Sequence, residues 1–381
     1  MTNGWAKWGI RLEIDFGQGS FNVIAGSVNW RSRIQECDTR VTNRDFFAAQ
    51  RSVTISPLQL GFLMPPPPLF AAIDLGSNSF RLEIARLEHG RLQRVDYFKE
   101  TVRQGGGLDA EQRLSQAAMQ RGWDCLARFA ERLQGFEPCA ARAVATQTLR
   151  EARNCDEFIA KAQRILGFSI DVISGREEAR MIYLGVAQAL PPSDERRLVV
   201  DIGGRSTEMI LGQDLKPQQV DSFQVGSVAW SLRYFPDGQF KPAAFKAAET
   251  AAKAVLAEGL ATFQAGHWDS AYGSSGTAGA VADALAASGW PQGEISLDAL
   301  DSLLAKLIKA QSADRLKLDD LKEDRRMVIG GGVSVLRAVF SLLGIKRMRA
   351  AQGALRHGVL HELIGPQDKF DGRELTVTPL P

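Results

Sequence analysis

The chain has 381 residues, and its 46 Lys and Arg against 44 Asp and Glu leave a formal net charge of +2. So even a balance excludes a dedicated nucleic-acid surface, although a local basic channel stays compatible with it. With 45% apolar and 24% charged residues it has the make-up of a globular protein, and its length predicts two domains.

Residues 1–68 precede the orderly part and end in Pro65–Pro68. Their apolar residues lack period, so they are expected to be a disordered extension closed by a semi-rigid proline run. Met1 to Gly9 lacks the apolar core of a signal peptide. No stretch is long and apolar enough to cross a bilayer. Cys37, Cys125, Cys139 and Cys155 have neither metal-ligand nor redox spacing, as expected for reduced thiols in the cytoplasm.

From Phe70 the pattern becomes regular. Phe70–Asp74, Phe80–Leu87 and Leu92–Val102 read as a strand meander. Leu114–Leu133 carries apolar residues at helical spacing, with Gly135 as its stop. Arg142–Ala145 is a short strand. A helix then begins at Asn154, read as its N-cap, with Asp156 and Glu157 in the first turn, and ends at Gly167. Ile170–Ile173 is a further strand. This β-β-β-α-β-α order fits a ribonuclease-H-like lobe.

Ser174-Gly-Arg-Glu177 reads as a capping box, in which Ser174 caps a backbone N–H and Glu177 reaches back. Glu178 then falls in line with Ile182 and close to Val186, facing the apolar side of the helix. Pro191-Pro192 ends that helix and begins a hinge. A second lobe opens near Arg196, and Leu297–Ala310 and Val333–Leu343 are amphipathic helices within it. The expected division is 1–68 extension, 69–190 lobe one, 191–366 lobe two and 367–381 tail.

The two lobes open alike. Phe70-Ala-Ala-Ile-Asp74-Leu-Gly76-Ser77-Asn78-Ser79 and Leu198-Val-Val-Asp201-Ile-Gly203-Gly204-Arg205-Ser206-Thr207 are each an apolar run ending in Asp, then a turn of Gly and small polar residues. The Asp can hold a divalent cation. The turn offers N–H groups and hydroxyls to phosphate oxygens. One such loop is common after core strands, but two with the same grammar point to a phosphorylated ligand gripped from both sides. Met327 to Leu336, with Gly330, Gly331 and Gly332, is a third glycine signal, and Tyr272 to Thr277 a fourth.

These residues resemble the exopolyphosphatase and guanosine pentaphosphate phosphatase family of the actin-like ATPase superfamily. The resemblance runs from about Leu69 to Gly365. It rests on six ordered motifs: Asp74 to Arg81, Thr146 to Arg150, Ser174 to Arg180, Asp201 to Glu208, Ser274 to Thr277, and Gly353 to Arg356. It implies an α/β fold of two actin-like lobes with a cleft between them, a divalent-metal requirement, and hydrolytic removal of a terminal phosphate. Longer relatives carry an additional helical C-terminal domain, which this chain is expected to lack.

For the chemistry, Asp74 and Asp201 are the candidates to hold Mg²⁺ or another divalent cation, with Glu208 adding an oxygen or orienting water. Ser77, Asn78, Gly203, Gly204, Ser206, Ser275, Gly276 and Thr277 are the candidate phosphate contacts. The resemblance makes Glu178 the general base, in agreement with the helix phase, and makes Arg150 a partner of the terminal phosphate. The competing roles are an ion pair for Glu178, with Arg150 or Arg180, and a surface position for Arg150. His89, His267, His357 and His361 show no metal spacing.

Three departures from the family pattern stand out. Arg205 occupies the place of a common third glycine, where it either carries strain or reaches the phosphates. Gln352 and His357 replace acidic residues near the end.

The first reading is an exopolyphosphatase; the alternative is a guanosine pentaphosphate 5′-phosphohydrolase, which the motifs do not separate from it. A non-catalytic nucleotide-binding scaffold and a sugar kinase are more distant rivals. Neither a nucleic-acid polymer nor a membrane is an expected partner, and a homodimer is compatible with the reading.

Overall fold

Two apolar runs, each ending in Asp, become the central strands of two sheets in the computed structural model of the chain. The structure describes residues 68–88, 91–318 and 321–365; the expected extension up to residue 67, the expected tail, Cys37 and His89 lie outside them. Both sheets belong to one compact unit that starts at Pro68.

Sheet one holds β1 (Leu69–Leu75), β2 (Phe80–Glu88), β3 (Arg91–Glu100), β4 (Ala141–Ala145) and β5 (Ile170–Val172) in the order β3-β2-β1-β4-β5. Sheet two holds β6 (Arg196–Ile202), β7 (Thr207–Gln213), β8 (Lys216–Phe223), β9 (Ser270–Ser274), β10 (Glu294–Ser296) and β11 (Arg347–Ala350) in the order β10-β11-β9-β6-β7-β8. In each sheet the Asp-bearing strand pairs antiparallel with the strand after it and parallel with a later one. Central strands buried on both faces need continuous apolar runs, as β1 and β6 have.

Helices cover the outer faces. On sheet one, α1 (Gln116–Arg132) and α3 (Cys155–Leu166) meet where Trp123 stacks on Phe158, with ring centroids 5.8 Å apart. The short α2 (Gln147–Glu151), which had no signal of its own beyond the family motif, precedes α3. On sheet two, α5 (Ser227–Tyr234), α6 (Pro242–Leu256), α7 (Ser275–Ala286), α8 (Leu297–Ala310) and α9 (Ile329–Leu343) surround the largest core.

Between the sheets lie α4 (Gly175–Gln188) and α10 (Leu355–Ile364). Ala179, Ile182 and Tyr183 of α4 and Leu355, Val359 and Leu360 of α10 share one apolar cluster with Ala72 and Val144 of sheet one and Val199 and Ile210 of sheet two. This is the two-lobed, ribonuclease-H-like arrangement expected from the sequence, with a cleft where β1 and β6 end.

Three local readings change. Asn154 does not cap α3; its Oδ1 accepts from Leu114 N at 2.8 Å and its Nδ2 donates to Leu114 O at 3.0 Å. Ser174 does cap α4, accepting from Glu177 N at 3.2 Å, but Glu177 does not reach back. Its carboxylate takes both donors of Arg180, at 2.7 and 2.9 Å, because a charged fork outcompetes one neutral N–H. Gly330, Gly331 and Gly332 form the first turn of α9 rather than a phosphate loop. A Cβ on Gly331 would stand 2.4 Å from Ser227 O and 2.6 Å from Ser231 N, so the glycine lets α5 and α9 touch backbone to backbone.

Candidate active site

Strand register explains why the two Asp residues behave differently. Asp74 lies opposite Arg81 across the first hairpin, and Arg81 Nη1 donates to Asp74 Oδ2 at 3.0 Å. Asp201 lies opposite Glu208 across the second. The first carboxylate thus has a cation beside it and the second another acid. Burial, with the nearby Asp74 adding to it, pushes Asp201 up to about 6 despite the nearby Ser274 hydroxyl and the pull of Arg81. Glu208, 1% exposed, is raised well above the usual carboxylate range by burial and by Glu178 and Asp201.

The loops after the two Asp residues meet. Gly105 N and Arg103 N donate to the carbonyls of Ser77 and Asn78 at 2.7 and 2.9 Å, fixing loop one. Gly203 N donates to Ser206 O at 2.9 Å and closes loop two on itself. A Cβ on Gly204 would lie 2.9 Å from Ser77 Cβ, so this glycine allows the loops to approach.

One cavity of about 330 Å³ lies at this meeting point, within the size range of small-ligand sites. Asp74, Ser77, Asn78, Glu178, Asp201, Gly203, Gly204, Ser206, Ser275, Gly276 and Thr277 all line it. Glu208 and Arg150 do not. Glu208 accepts from Ser222 Oγ at 2.7 Å behind the wall.

Arg150 also stands behind. Its Nη1 donates to Glu178 Oε2 at 2.7 Å and to Ile173 O at 2.9 Å, while Nε and Nη2 donate to Gln147 Oε1. Arg150, expected to pair with a terminal phosphate, thus supports Glu178 here and does not line the cavity. Burial raises Glu178 to about 7, the Arg150 charge opposes part of that rise, and Asp74 and Asp201 add to it. A carboxylate held there is suited to proton transfer near neutrality.

The fourth glycine signal becomes the β9–α7 junction. Ser275 has φ +81°, a left-handed conformation costly for a side-chain-bearing residue. Its hydroxyl donates to Ile202 O at 2.8 Å and accepts from Thr277 N at 3.1 Å. The hydroxyl is thus used within the loop, and what the junction presents to the cavity is the start of α7.

A basic wall that the sequence reading gave no role completes the cavity: Arg81, Lys99, Lys322, Arg325 and Arg356. Lys99 pairs with Asp324 at 3.0 Å, and Arg356 pairs with buried Glu83. Burial and neighbouring Arg81 lower the pKa of Arg325, which lies over Gly276. Lys99 and Arg325 come from segments more than 200 residues apart, so no local pattern could have paired them. Gln352 lines the cavity as well, and His357 turns back to accept from Ala354 N at 2.9 Å.

Among the described residues no group of three His, Cys, Asp or Glu side chains stands close enough to hold a metal ion. The expected set of Asp74, Asp201 and Glu208 is accordingly not a closed site. The donors that reach the cavity still suit a hard cation, which takes one or two carboxylates and completes its shell with water and phosphate oxygens. Asp74 and Asp201 are such a pair.

Two sheets built alike, with paired Asp-ended strands facing one cleft, define a protein of the actin-like ATPase class. A family model described as the Ppx/GppA phosphatase family matches residues 83–366, and the chain belongs to that family. It is 42% identical over 313 residues to a protein named guanosine-5′-triphosphate,3′-diphosphate pyrophosphatase from Aeromonas hydrophila, covering 82% of this chain and 63% of that protein. It is 43% identical over 311 residues to one of the same name from Vibrio atlanticus, covering 82% and 62%. The chain thus spans less than two thirds of the length of these relatives.

Among solved structures it is similar to an exopolyphosphatase-like protein, with TM-score 0.70 and 26% identity over 79% of this chain and 98% of the other. An exopolyphosphatase from Cytophaga hutchinsonii shares the fold, with TM-score 0.70 and 24% identity over 78% and 98%. Among the described residues no helix is long and apolar enough to cross a membrane.

Proposed function

We propose that the chain hydrolyses the terminal 5′ phosphoanhydride of guanosine pentaphosphate, releasing orthophosphate. The order of the two readings drawn from the sequence is thereby reversed. The observation that carries it is the 42% identity to relatives named as pyrophosphatases of guanosine-5′-triphosphate,3′-diphosphate, joined to Glu178 lining one cavity with Asp74 and Asp201.

Water attacks the terminal phosphorus, the bond to the bridging oxygen breaks, and the shortened nucleotide leaves. Glu178 takes the proton from that water. Arg150 holds the Glu178 carboxylate in place through Nη1. The backbone N–H groups of loops one and two and of the α7 start bind the phosphate oxygens, and Arg81, Lys99 and Arg325 offset the charge of the chain. A Mg²⁺ ion held by Asp74 and Asp201 would neutralise charge on the transferred group.

Inorganic polyphosphate is the second reading, favoured by the basic wall, which suits a run of phosphates with or without a nucleoside. The test is phosphate release from guanosine pentaphosphate, long-chain polyphosphate and ATP, with Mg²⁺ and after chelation. The highest kcat/KM on guanosine pentaphosphate is expected. Preference for polyphosphate would restore the other reading, and release from none would end both.

A further inference from the structure

Arg205 stands where a third glycine would be expected, and it fits neither fate foreseen for it. It is absent from the described residues with left-handed backbone, so it carries no such strain. Nor does it line the cavity. Its guanidinium crosses to the other sheet's side instead. Nε and Nη2 donate to Glu151 Oε2 at 2.7 and 2.6 Å, and Nη1 donates to the Gly105 carbonyl at 3.1 Å.

The contacts continue from there. Glu151 Oε1 accepts from Gln147 Nε2 at 2.6 Å. Gln147 Oε1 accepts from Arg150 Nε at 3.1 Å and from its Nη2. Arg150 Nη1 donates to Glu178 Oε2 at 2.7 Å. Every link runs from donor to acceptor with proper polarity. The chain joins loop two to the carboxylate at the head of α4 by way of α2, the short helix that carries all three intermediate residues.

Burial makes the links matter. Gln147 is 6% exposed, and the side chains of Glu151 and Arg205 are 11% and 20% exposed. Water competes little with bonds so enclosed, and chained bonds reinforce one another. An isolated, exposed ion pair would have little effect.

We propose that Arg205 is a positioning residue for Glu178, holding it through Glu151, Gln147 and Arg150 at an orientation set by loop two. The proposal rests on the hydrolytic reading above. Loop two and the proton acceptor are then assembled as one unit, so a shift of the loop displaces the carboxylate as well. The groups that face Glu178 directly are Arg150, Asp74, Asp201 and Glu208. Arg205 acts on it only through the first of these.

The test compares Arg205→Ala, Arg205→Lys, Glu151→Ala and Glu178→Gln, with Arg205→Ala also made in the Glu178→Gln background. Phosphate release is measured on guanosine pentaphosphate and on polyphosphate, and backbone hydrogen exchange over 146–151 and 174–178. Arg205→Ala and Glu151→Ala should each lower kcat roughly tenfold with KM within about twofold, the mark of a misplaced group rather than a lost substrate contact.

Arg205→Lys should fall between wild type and Arg205→Ala, since an ammonium keeps the charge but not the fork. In the Glu178→Gln background Arg205→Ala should change nothing further. Exchange should quicken over 146–151 in the single variant. A raised KM at unchanged kcat, full additivity with Glu178→Gln, or unchanged exchange with unchanged kinetics would each overturn the proposal. If the wild-type protein releases no phosphate from either substrate the hydrolytic reading fails, and the exchange comparison still decides whether Arg205 orders α2 and the head of α4.

Discussion

Glu177 and Glu178 are adjacent acids with opposite fates, set by the roughly 100° step between neighbouring residues of a helix. Glu177 points outward to Arg180, while Glu178 is 7% exposed in the cleft. Glu178→Gln keeps the shape but cannot take a proton, so turnover should drop by roughly two to four orders of magnitude. Glu177→Gln should retain most activity and change stability by no more than about 1 kcal/mol, because its ion pair is more than one third exposed. Equal damage in the two variants would show that the assignment by helix phase is wrong.

The raised Glu178 pKa adds a pH signature. As the proposed proton acceptor Glu178 must be ionised to act, so kcat should rise with pH through about 7 and level off above it. Arg150 opposes the rise in that pKa, so Arg150→Gln should move the rising limb to higher pH. A limb that stays put would remove Arg150 from contact with the base. Glu178 was legible in the sequence because a capping serine and the apolar spacing of one helix define its direction. The pairing with Arg150 was foreseen only as one of two competing ion pairs, since the choice between Arg150 and Arg180 depends on α2 meeting α4 across 28 residues of chain.

At the level of elements, the strands and long helices from Phe70 to Gln188 could be read because apolar period and glycine stops are local signals. In the second lobe Leu297–Ala310 coincides with α8 residue for residue, whereas β7, β8, β10, β11, α5, α6 and α10 were not read. The reading failed where tertiary contacts overrode local preference. Asn154 looks like a cap, yet its amide is drawn to the backbone of Leu114. Three consecutive glycines look like a loop, yet they begin a helix: α5 leaves no room for a side chain at Gly331, and Phe235 and Thr277 crowd Gly330 and Gly332. Gly331→Ala separates these effects. Intrinsic propensity favours Ala by about 1 kcal/mol. Overpacking against Ser227 and Ser231 costs about 1–3 kcal/mol, and the nearest atoms are backbone, which cannot swing aside. Net destabilisation is therefore expected in urea unfolding at unchanged slope. A more stable variant would mean that the two helices separate easily.

For the whole molecule, the cleft gathers buried acids that two symmetric strands bring together, and this ties stability to pH. Asp201 is raised to about 6 and Glu178 to about 7, chiefly by burial, and Glu208 is raised well above the usual carboxylate range. A carboxylate whose folded pKa lies above its unfolded value contributes stability that is complete below the unfolded value and is lost as pH rises through the folded one. Other shifted groups act elsewhere on the pH scale. Glu83, lowered to about 2 by His357 and Arg356 against its own burial, contributes at all pH values above its ordinary range. His361, lowered from 6.5 to about 4 by burial, adds stability only as pH rises towards 6.5. Between about pH 6.5 and 8 the cleft acids therefore dominate the trend, and the chelated protein should lose stability on the order of 1–3 kcal/mol across that interval. A cation bound between Asp74 and Asp201 favours the ionised form of Asp201, so Mg²⁺ should raise Tm more at about pH 8 than at about pH 5, where a proton competes for the Asp201 oxygens. Asp201→Asn removes one buried charge and one proposed ligand together. It should raise Tm of the chelated protein at the higher pH and abolish the Mg²⁺ increment. Thermal scans of both proteins at the two pH values, with and without Mg²⁺, measure this. If Asp201→Asn keeps the full increment, Asp201 is not a ligand and the cation binds elsewhere in the cleft.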